Sequence, residues 1–362
     1  MKQLGPHLTA EHVSASVEQL RCLYPEEVCE AGIRDNTLPA GVEELFFPGL
    51  CLRLRGIVLL GIDLTLAHEW RRDSGLVERL RHIKSFGQGR AEVGVWAGLV
   101  RSGVEVHRPT ESKRQRTSDF EVATDGKTIS IEVKTMGSGA LSRASSGLEH
   151  SWSRLLTESR TGAPLTSIMG KTAILQLRDD LRARIADSRT QSTAVEELNA
   201  SLPAAFDTLA GMLDPATPLP ARSEIPGIGF VSVDADQDGD SGNYGLVGIP
   251  ELPEEDQIKR LIKRAKEGAK QLAGCAHPGV LVLELPGRTL DARWASHHLA
   301  AAMERSPQDF GSLDASVLLS PVRRSHGMGH DWAVSAYRPS WSRLTGIPTA
   351  VLSGIASWRH TC

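Results

Sequence analysis

Two acidic residues and a lysine surround a predicted tight turn near the middle of the chain. Asp119 precedes, and Glu132 follows, an Asp125-Gly126 pair flanked by alternating apolar and polar residues. That pair is typical of a two-residue hairpin loop, because a type I′ turn needs positive φ at both central residues. Pairing the strands outward from the turn places Asp119 opposite Glu132, with Cβ atoms about 5 Å apart. Lys134 lies on the same face, since side chains alternate along a strand.

The same alternation sorts the other hairpin side chains onto two faces. The apolar face is predicted to consist of Phe120, Val122, Ile129, Ile131 and Val133. The polar face is predicted to carry Glu121 and Ser130 beside the two acids and the lysine. Like charges directly opposite each other are destabilising, and a hard divalent cation held by carboxylate oxygens would offset the repulsion. The alternative is a surface hairpin whose acids point into water.

Helical segments precede the hairpin. Residues 1–87 are expected to form a helical N-terminal region, whose last helix, 68–86, ends at Gly87-Gln88-Gly89. The run 90–102 has apolar residues at helical spacing. Glu92 lies at the start of that run, where an acid suits the helix dipole. The elements expected next are a strand at 104–108 and a basic loop with Lys113, Arg114 and Arg116.

A helical insertion is predicted for residues 138–225, between the hairpin and the remainder of the core. It opens with a Gly/Ser-rich stretch, has apolar residues at helical spacing over 168–187, and ends in a proline-rich linker. A strand at 227–235 then returns the chain to the core. The core is therefore expected to comprise 88–137 and 226–340.

A strongly amphipathic helix is predicted to begin at Pro253. Its first turn is acidic and it carries a continuous apolar stripe, as expected of a helix that covers a sheet. A basic face beside the stripe includes Lys259, Lys263 and Lys270. Such a face is usually only solvated, although it would also suit contacts with phosphates. The later elements are expected to be a buried strand at 277–285, a helix at 293–304, edge strands at 316–321 and 332–337, and a tail at 341–362.

Composition places the chain among ordinary soluble globular proteins. It has 362 residues, 40% of them hydrophobic, and a formal net charge of −3, so nucleic-acid binding would have to come from local basic patches. Five cysteines without a C-x-x-C pair predict free thiols in a reducing compartment. The first residues lack the apolar run of a signal peptide, and the most apolar stretch, 46–64, contains Arg53, Arg55 and Asp63. We therefore expect a cytoplasmic protein without membrane association.

The order of these elements resembles the PD-(D/E)XK nuclease superfamily. The resemblance rests on a helix with an early Glu92, then a strand, then Asp119 followed by Glu132-x-Lys134. The proline that precedes the aspartate in that family is Ser118 here. The resemblance implies an α/β fold with the restriction-endonuclease-like αβββαβ core and a mixed central sheet.

The family resemblance also implies roles for individual residues. Asp119, Glu132 and the carbonyl of Val133 would hold Mg²⁺, for which Mn²⁺ can substitute, and Lys134 would orient the attacking water. Glu92 would complete a second metal site or orient a water, or serve only as an acid at a helix start. A lysine or glutamine on the helix after the E-x-K strand is expected to reach the active site. The candidates for that position are Lys263, Lys270 and Gln271.

The function implied is metal-dependent hydrolysis of phosphodiester bonds, with DNA favoured as the substrate of a restriction, defence or repair endonuclease. The basic loop and the basic helix would then contact phosphates without regard to sequence. One alternative is a nucleic-acid-binding or regulatory subunit that keeps the fold without turnover, and another is an RNase toxin. A homodimer would suit an enzyme that cuts both strands of a duplex, although no residue pattern indicates one.

Overall fold

The computed structural model describes residues 9–35, 37–39, 42, 54–109, 117–124, 126–136, 171–187, 189–214, 216–235, 243–247, 254–285, 291–323 and 330–357. The chain forms two compact units. One comprises Met1–Gly137 together with Glu254–Cys362, and the other comprises Ser138–Pro253. Helices and strands occur in both units, so the predicted α/β class is confirmed.

A mixed sheet forms the centre of the first unit, as predicted, and it has six strands. Its strands are β1 (Glu105–His107), β2 (Phe120–Thr124), β3 (Lys127–Thr135), β8 (Gly279–Glu284), β9 (Ala315–Arg323) and β10 (His330–Tyr337), numbered along the whole chain. They lie in the order β1-β2-β3-β8-β9-β10. The first three are antiparallel, β3, β8 and β9 are parallel, and β10 is antiparallel to β9. β9 is therefore an interior strand, and the prediction that it lies at an edge is wrong.

The β2–β3 hairpin has the predicted register. Phe120 pairs with Ile131, and Thr124 pairs with Lys127. Gly126 has φ of +71°, a conformation that a residue with a Cβ rarely adopts; Asp125 lies outside the described residues. All five residues of the predicted apolar face are at most 1% exposed and belong to one core cluster. Alternation was a sufficient guide here because one face of the hairpin is buried.

The N-terminal helices share a core with that apolar face. They are α1 (Ala10–Leu23), α2 (Glu26–Arg34), α3 (Leu54–Leu66), a 3₁₀ turn (Trp70–Arg72), α4 (Ser74–Arg81) and α5 (Phe86–Arg101). Their buried side chains share one core with β2 and β3. The predicted break at residues 87–89 is wrong, since these residues lie in the first turn of α5. A Cβ on Gly89 would lie 3.2 Å from the Leu80 side chain, so this glycine permits a close approach between α4 and α5.

Three helices cover the opposite face of the sheet. They are α8 (Glu254–Leu272), α9 (Ala292–Arg305) and α10 (Pro307–Phe310). Leu261 of α8 and Leu299 of α9 join Leu281 of β8 in a second core cluster. The amphipathic helix after Pro253 and the helix at 293–304 are thus confirmed, and β8 is the predicted buried strand.

The described residues beyond 341, up to 357, do not form a tail. Helix α11 (Thr349–Ser357) packs on α5 and buries Val351 and Ile355. A Cβ on Gly354 would lie 2.9 Å from the Leu99 Cα atom, so the two helices meet backbone to backbone. Arg343 anchors the preceding loop, with Nη2 2.7 Å from Asp314 Oδ2. For residues 341–357 the prediction of a tail is wrong, because α11 is short and its burial depends on packing against the distant helix α5.

The second unit contains a sheet, so the prediction of a helical insertion is wrong. Its strands, β4 (Lys171–Leu177), β5 (Ala221–Ile225), β6 (Gly229–Ala235) and β7 (Asn243–Val247), lie in the order β5-β6-β4-β7. Its helices are α6 (Asp179–Ala186) and α7 (Gln191–Met212). The run 168–187, predicted as one helix, contains β4 and α6. The strand predicted at 227–235 is β6, which belongs to this sheet and not to the core, and the unit extends to Pro253.

No helix in the described part of the chain has the length and apolar character that crossing a membrane requires. Cys22, Cys29 and Cys275 are free thiols, as predicted. Cys51 and Cys362 lie outside the described residues.

Candidate active site

Asp119 lies immediately before β2, at the point where β3 extends past the end of its partner. Its Oδ2 accepts a hydrogen bond from the backbone N–H of Val133, 2.8 Å away. A side-chain carboxylate thus takes the place of the next backbone partner along β3. This contact brings Asp119 to the segment Glu132-Val133-Lys134 (the E-x-K segment), as the predicted hairpin register requires.

Glu132 is the most deeply buried acid of the site. Its side chain is 0% exposed, and the ammonium group of Lys134 and the backbone N–H of Asp119 stabilise its charged form. Lys134 Nζ lies 2.5 Å from Glu132 Oε1, as an ion pair. Glu132 pairs with Leu281 across the sheet, so its side chain lies on the face covered by α8.

The two carboxyl groups disfavour each other's ionisation in this environment. Burial raises the pKa of Asp119 well above its usual value, and the charges of Glu132 and then Glu92 raise it further. Burial also raises the pKa of Glu132, although Lys134 opposes the shift. Keeping both groups ionised costs free energy that a bound cation would offset.

Glu92 has partners other than those expected. It is the seventh residue of α5, so the prediction that it lies at a helix start is wrong. Its Oε2 accepts from Arg79 Nη2 at 2.8 Å and from Arg108 Nη2 at 3.0 Å, while its Oε1 accepts from Gln88 Nε2 at 3.1 Å. The side chain is 2% exposed. Two guanidinium groups and an amide therefore already surround this carboxylate.

The two arginines join Glu92 to the surroundings of Asp119. Arg108 also forms an ion pair with Asp73, and its guanidinium lies 5.4 Å from the centre of the Phe120 ring. Although burial acts in the opposite direction, Glu92 and, more weakly, Asp119 raise the pKa of Arg79. Arg79 Nε and Arg108 Nη1 are buried and find no hydrogen-bond acceptor among the described residues. The two arginines thus hold positive charge close to Asp119, the residue that immediately precedes β2.

Gln88 is a site residue that sequence reasoning missed. Its Nε2 donates to the carbonyl of Val133 at 2.7 Å, and its Oε1 accepts from the N–H of Thr135 at 3.1 Å. The predicted metal ligand, the Val133 carbonyl, therefore already accepts one hydrogen bond. A signal was present in the sequence, because Gln88 precedes Glu92 by four residues and so shares its helix face. Interpreting 87–89 as a break concealed it.

Part of the predicted nucleic-acid contact set falls outside the described residues, and the rest lies on α8. Lys113, Arg114 and Arg116 lie outside the described residues. Lys259, Lys263 and Lys270 are exposed on α8, and Gln271 is half-buried. The buried polar side chain of this helix is Gln257, which sequence reasoning did not select. Whether these α8 residues contact a ligand stays a prediction.

The acids fit a single Mg²⁺ better than a metal cage made only of protein. Among the described residues, no group of three or more His, Cys, Asp or Glu side chains could hold a metal ion. Mg²⁺ does not require one, since it is usually held by one or two carboxylates together with water and substrate phosphates. The buried carboxylate of Glu132 and the adjacent Asp119 could serve as such a pair.

A scan against protein-family models, a search of curated proteins and a search of solved structures found no match to this chain. The chemistry inferred for the candidate site therefore rests on its own side chains and their contacts.

Proposed function

We propose that this chain is a Mg²⁺-dependent nuclease that hydrolyses phosphodiester bonds, with DNA as its substrate. The observation that carries the proposal is a pair of neighbouring buried acids beside a cation: Glu132 is fully buried, lies next to Asp119 and contacts Lys134. Burying charged groups in this way lowers the stability of the folded protein, so stability by itself does not account for the arrangement. Strongly perturbed acids of this kind are typical of functional sites.

The order of elements in the first unit supports a restriction-endonuclease-like core. Helix α5 is followed by the antiparallel strands β1, β2 and β3, and then, after the second unit, by α8 and β8. β8 is parallel to β3, and α8 packs on the sheet face opposite α5. This is the αβββαβ order that the resemblance implies, with both acids at the β2–β3 strands.

Each residue of the site has a distinct role in the proposed reaction. Asp119 and Glu132 would hold Mg²⁺, and the Val133 carbonyl would be a further ligand. Mg²⁺ held there would supply polarisation of a phosphoryl oxygen and easier ionisation of water. Lys134 orients the attacking water and stabilises negative charge that develops on the phosphoryl oxygens. Glu92 holds Arg79 and Arg108 beside Asp119, which favours one metal ion over two.

A DNA-cleavage assay with isosteric variants tests the proposal. Asp119→Asn, Glu132→Gln and Lys134→Met should each reduce Mg²⁺-dependent nicking of supercoiled plasmid by at least about 100-fold. The matched control is Asp63→Asn, which removes a buried carboxylate that pairs with Arg101 at the far end of α5. Its activity should stay within a few fold of the wild-type value. Retained cleavage in any two of the three site variants would exclude this mechanism.

A binding protein without turnover is the second candidate. The Lys134–Glu132 ion pair favours it, because the lysine already supplies Glu132 with a cation. A protein of this kind should hold labelled DNA in EDTA and fail to cut it in Mg²⁺. Running the same assay with single-stranded DNA, branched DNA and RNA distinguishes a DNase from an RNase.

A further inference from the structure

β3 is longer than β2, so part of its backbone has no strand beside it. Phe120 is the last β2 residue paired with β3, and its partner is Ile131. On the opposite side, β3 continues to pair with β8 as far as Thr135. The N–H groups of the even-numbered residues of β3 point toward β8, as Ser130 and Met136 show by donating to that side. The N–H and C=O groups of Val133 and Thr135 therefore point to the side where β2 has ended.

Two side chains occupy this gap. The Asp119 carboxylate accepts from the N–H of Val133 at 2.8 Å. The Gln88 amide donates to the C=O of Val133 at 2.7 Å and accepts from the N–H of Thr135 at 3.1 Å. A primary amide carries a donor and an acceptor that can face the same side. Gln88 thus binds two backbone groups of β3 that a longer β2 would have paired.

The orientation of the Gln88 amide is determined by its own partners. Its Nε2 also donates to Glu92 Oε1 at 3.1 Å, and the hydroxyl of Thr135 lies 3.4 Å from its Oε1. A flipped amide would place oxygen against both Glu92 and the Val133 carbonyl, and nitrogen against the Thr135 N–H. Gln88 and Glu92 lie one turn apart on α5, so the helix holds both contacts in place.

We propose that Gln88 is a positioning residue that fixes the backbone of the E-x-K segment by binding the backbone groups that the missing strand leaves unpaired. Lys134 lies between the two backbone groups that Gln88 binds, and Glu132 precedes the first of them. Gln88 therefore determines where the Lys134 ammonium group and the Glu132 carboxylate lie relative to Asp119. The effect on catalysis rests on the proposed nuclease function, whereas the backbone contacts do not.

The experiment compares Gln88→Met with Gln191→Met. Gln191 is a matched control, because its Nε2 donates to the carbonyl of Ile185 at 2.8 Å in the second unit. In Gln88→Met, amide hydrogen exchange at Thr135, measured by NMR, should accelerate about 10-fold or more. Mn²⁺ affinity by titration calorimetry and kcat for plasmid cleavage should each fall about 10- to 100-fold, as for other groups that orient metal ligands. KM should stay within about 3-fold of the wild-type value, and Gln191→Met should change none of these quantities.

A second variant keeps the test decisive if the methionine prevents folding. Gln88→Glu retains the acceptor for Thr135 and loses the donor to Val133, so it should keep slow exchange at Thr135 and still lose kcat. Unchanged exchange at Thr135 in Gln88→Met would overturn the proposal, as would unchanged Mn²⁺ affinity and kcat. Should the wild-type protein neither bind Mn²⁺ nor cleave DNA, the nuclease function fails. The exchange rate at Thr135 then still decides whether Gln88 binds the backbone groups that the missing strand leaves unpaired.

Discussion

Lys134 and Glu132 are two residues apart on β3, so their side chains share one face of the sheet. The ammonium group lies 2.5 Å from Glu132 Oε1, where it stabilises the buried carboxylate. A metal ion held by Glu132 and Asp119 must share Glu132 with this lysine. Lys134 therefore has opposite effects on metal binding and on the proposed hydrolysis.

Removing the lysine should separate these two effects. We expect Lys134→Met to bind Mn²⁺ about 10-fold more tightly than the wild type, because a competing cation has been removed. The same variant should have no measurable cleavage activity. Titration calorimetry gives the affinity, and Glu132→Gln, which should lose binding, is the control. Equal or weaker Mn²⁺ binding by Lys134→Met would show that the lysine does not compete with the metal.

The local sequence pattern was enough to predict the two acids and the lysine of the site, but not the residues that contact them. The pairing of Phe120 with Ile131 follows from an Asp-Gly turn and a period of two. Arg79, Gln88 and Arg108 were missed because their roles depend on distant partners. Gln88, for example, lies 45 positions before the carbonyl that it binds. Sequence spacing carries no information about such contacts until the fold brings them together.

At the scale of helices and strands, the errors arose where tertiary contacts outweigh local signals. Glycines near the start of α5 suggested a break, yet Gly89 allows a close approach to Leu80. β4 was predicted as part of a helix because Ile174, Leu177 and Leu181 also fit a period of 3.6. In the structure, Ala173, Leu175 and Leu177 are buried at a period of two. Short apolar runs of this length do not distinguish strand from helix.

The crossing of α11 over α5 gives a prediction about stability. Alanine at Gly354 would place a Cβ 2.9 Å from the Leu99 Cα atom and 3.0 Å from the Gly98 carbonyl oxygen. Since backbone atoms cannot easily move aside, Gly354→Ala should lower the free energy of unfolding by about 1 to 3 kcal/mol.

Gly211, in the last turn of α7, provides a matched control for this substitution. A Cβ there would meet no atom within 4 Å. Gly211→Ala should therefore be neutral or stabilise the protein by up to about 1 kcal/mol, through helix propensity. Urea titration of both variants measures the two effects. Equal effects of the two substitutions would contradict the close helix crossing.

For the whole molecule, domain organisation was predicted only in outline. The sequence indicated an insertion between the hairpin and the amphipathic helix, and a separate unit is present there. Its predicted end at 225 is wrong because β6 looks, in sequence, like a strand of the core. β6 pairs with β4, more than fifty positions earlier, which only the folded chain reveals.

Buried carboxyl groups also give the whole protein a characteristic dependence of stability on pH. Burial is the largest cause of the raised pKa of Asp119, Glu132, Glu284 and Asp63, and it outweighs the ion pairs that Glu284 and Asp63 form with arginines. Each of these groups binds its proton more tightly in the folded than in the unfolded chain. Their contribution to stability is therefore complete below the unfolded pKa and is lost as pH rises through the folded pKa.

Asp63 allows this dependence to be measured at a position remote from the proposed chemistry. It pairs with Arg101 between α3 and α5, and burial raises its pKa from 3.8 to about 7. Between pH 5 and pH 7 the wild type should therefore lose roughly 2 to 3 kcal/mol of stability that Asp63→Asn does not lose, at about 1.4 kcal/mol per pH unit. Urea titrations of both proteins at several pH values measure the difference. Parallel pH profiles for the two proteins would show that Asp63 is ionised throughout this range and that Arg101, not burial, controls its charge.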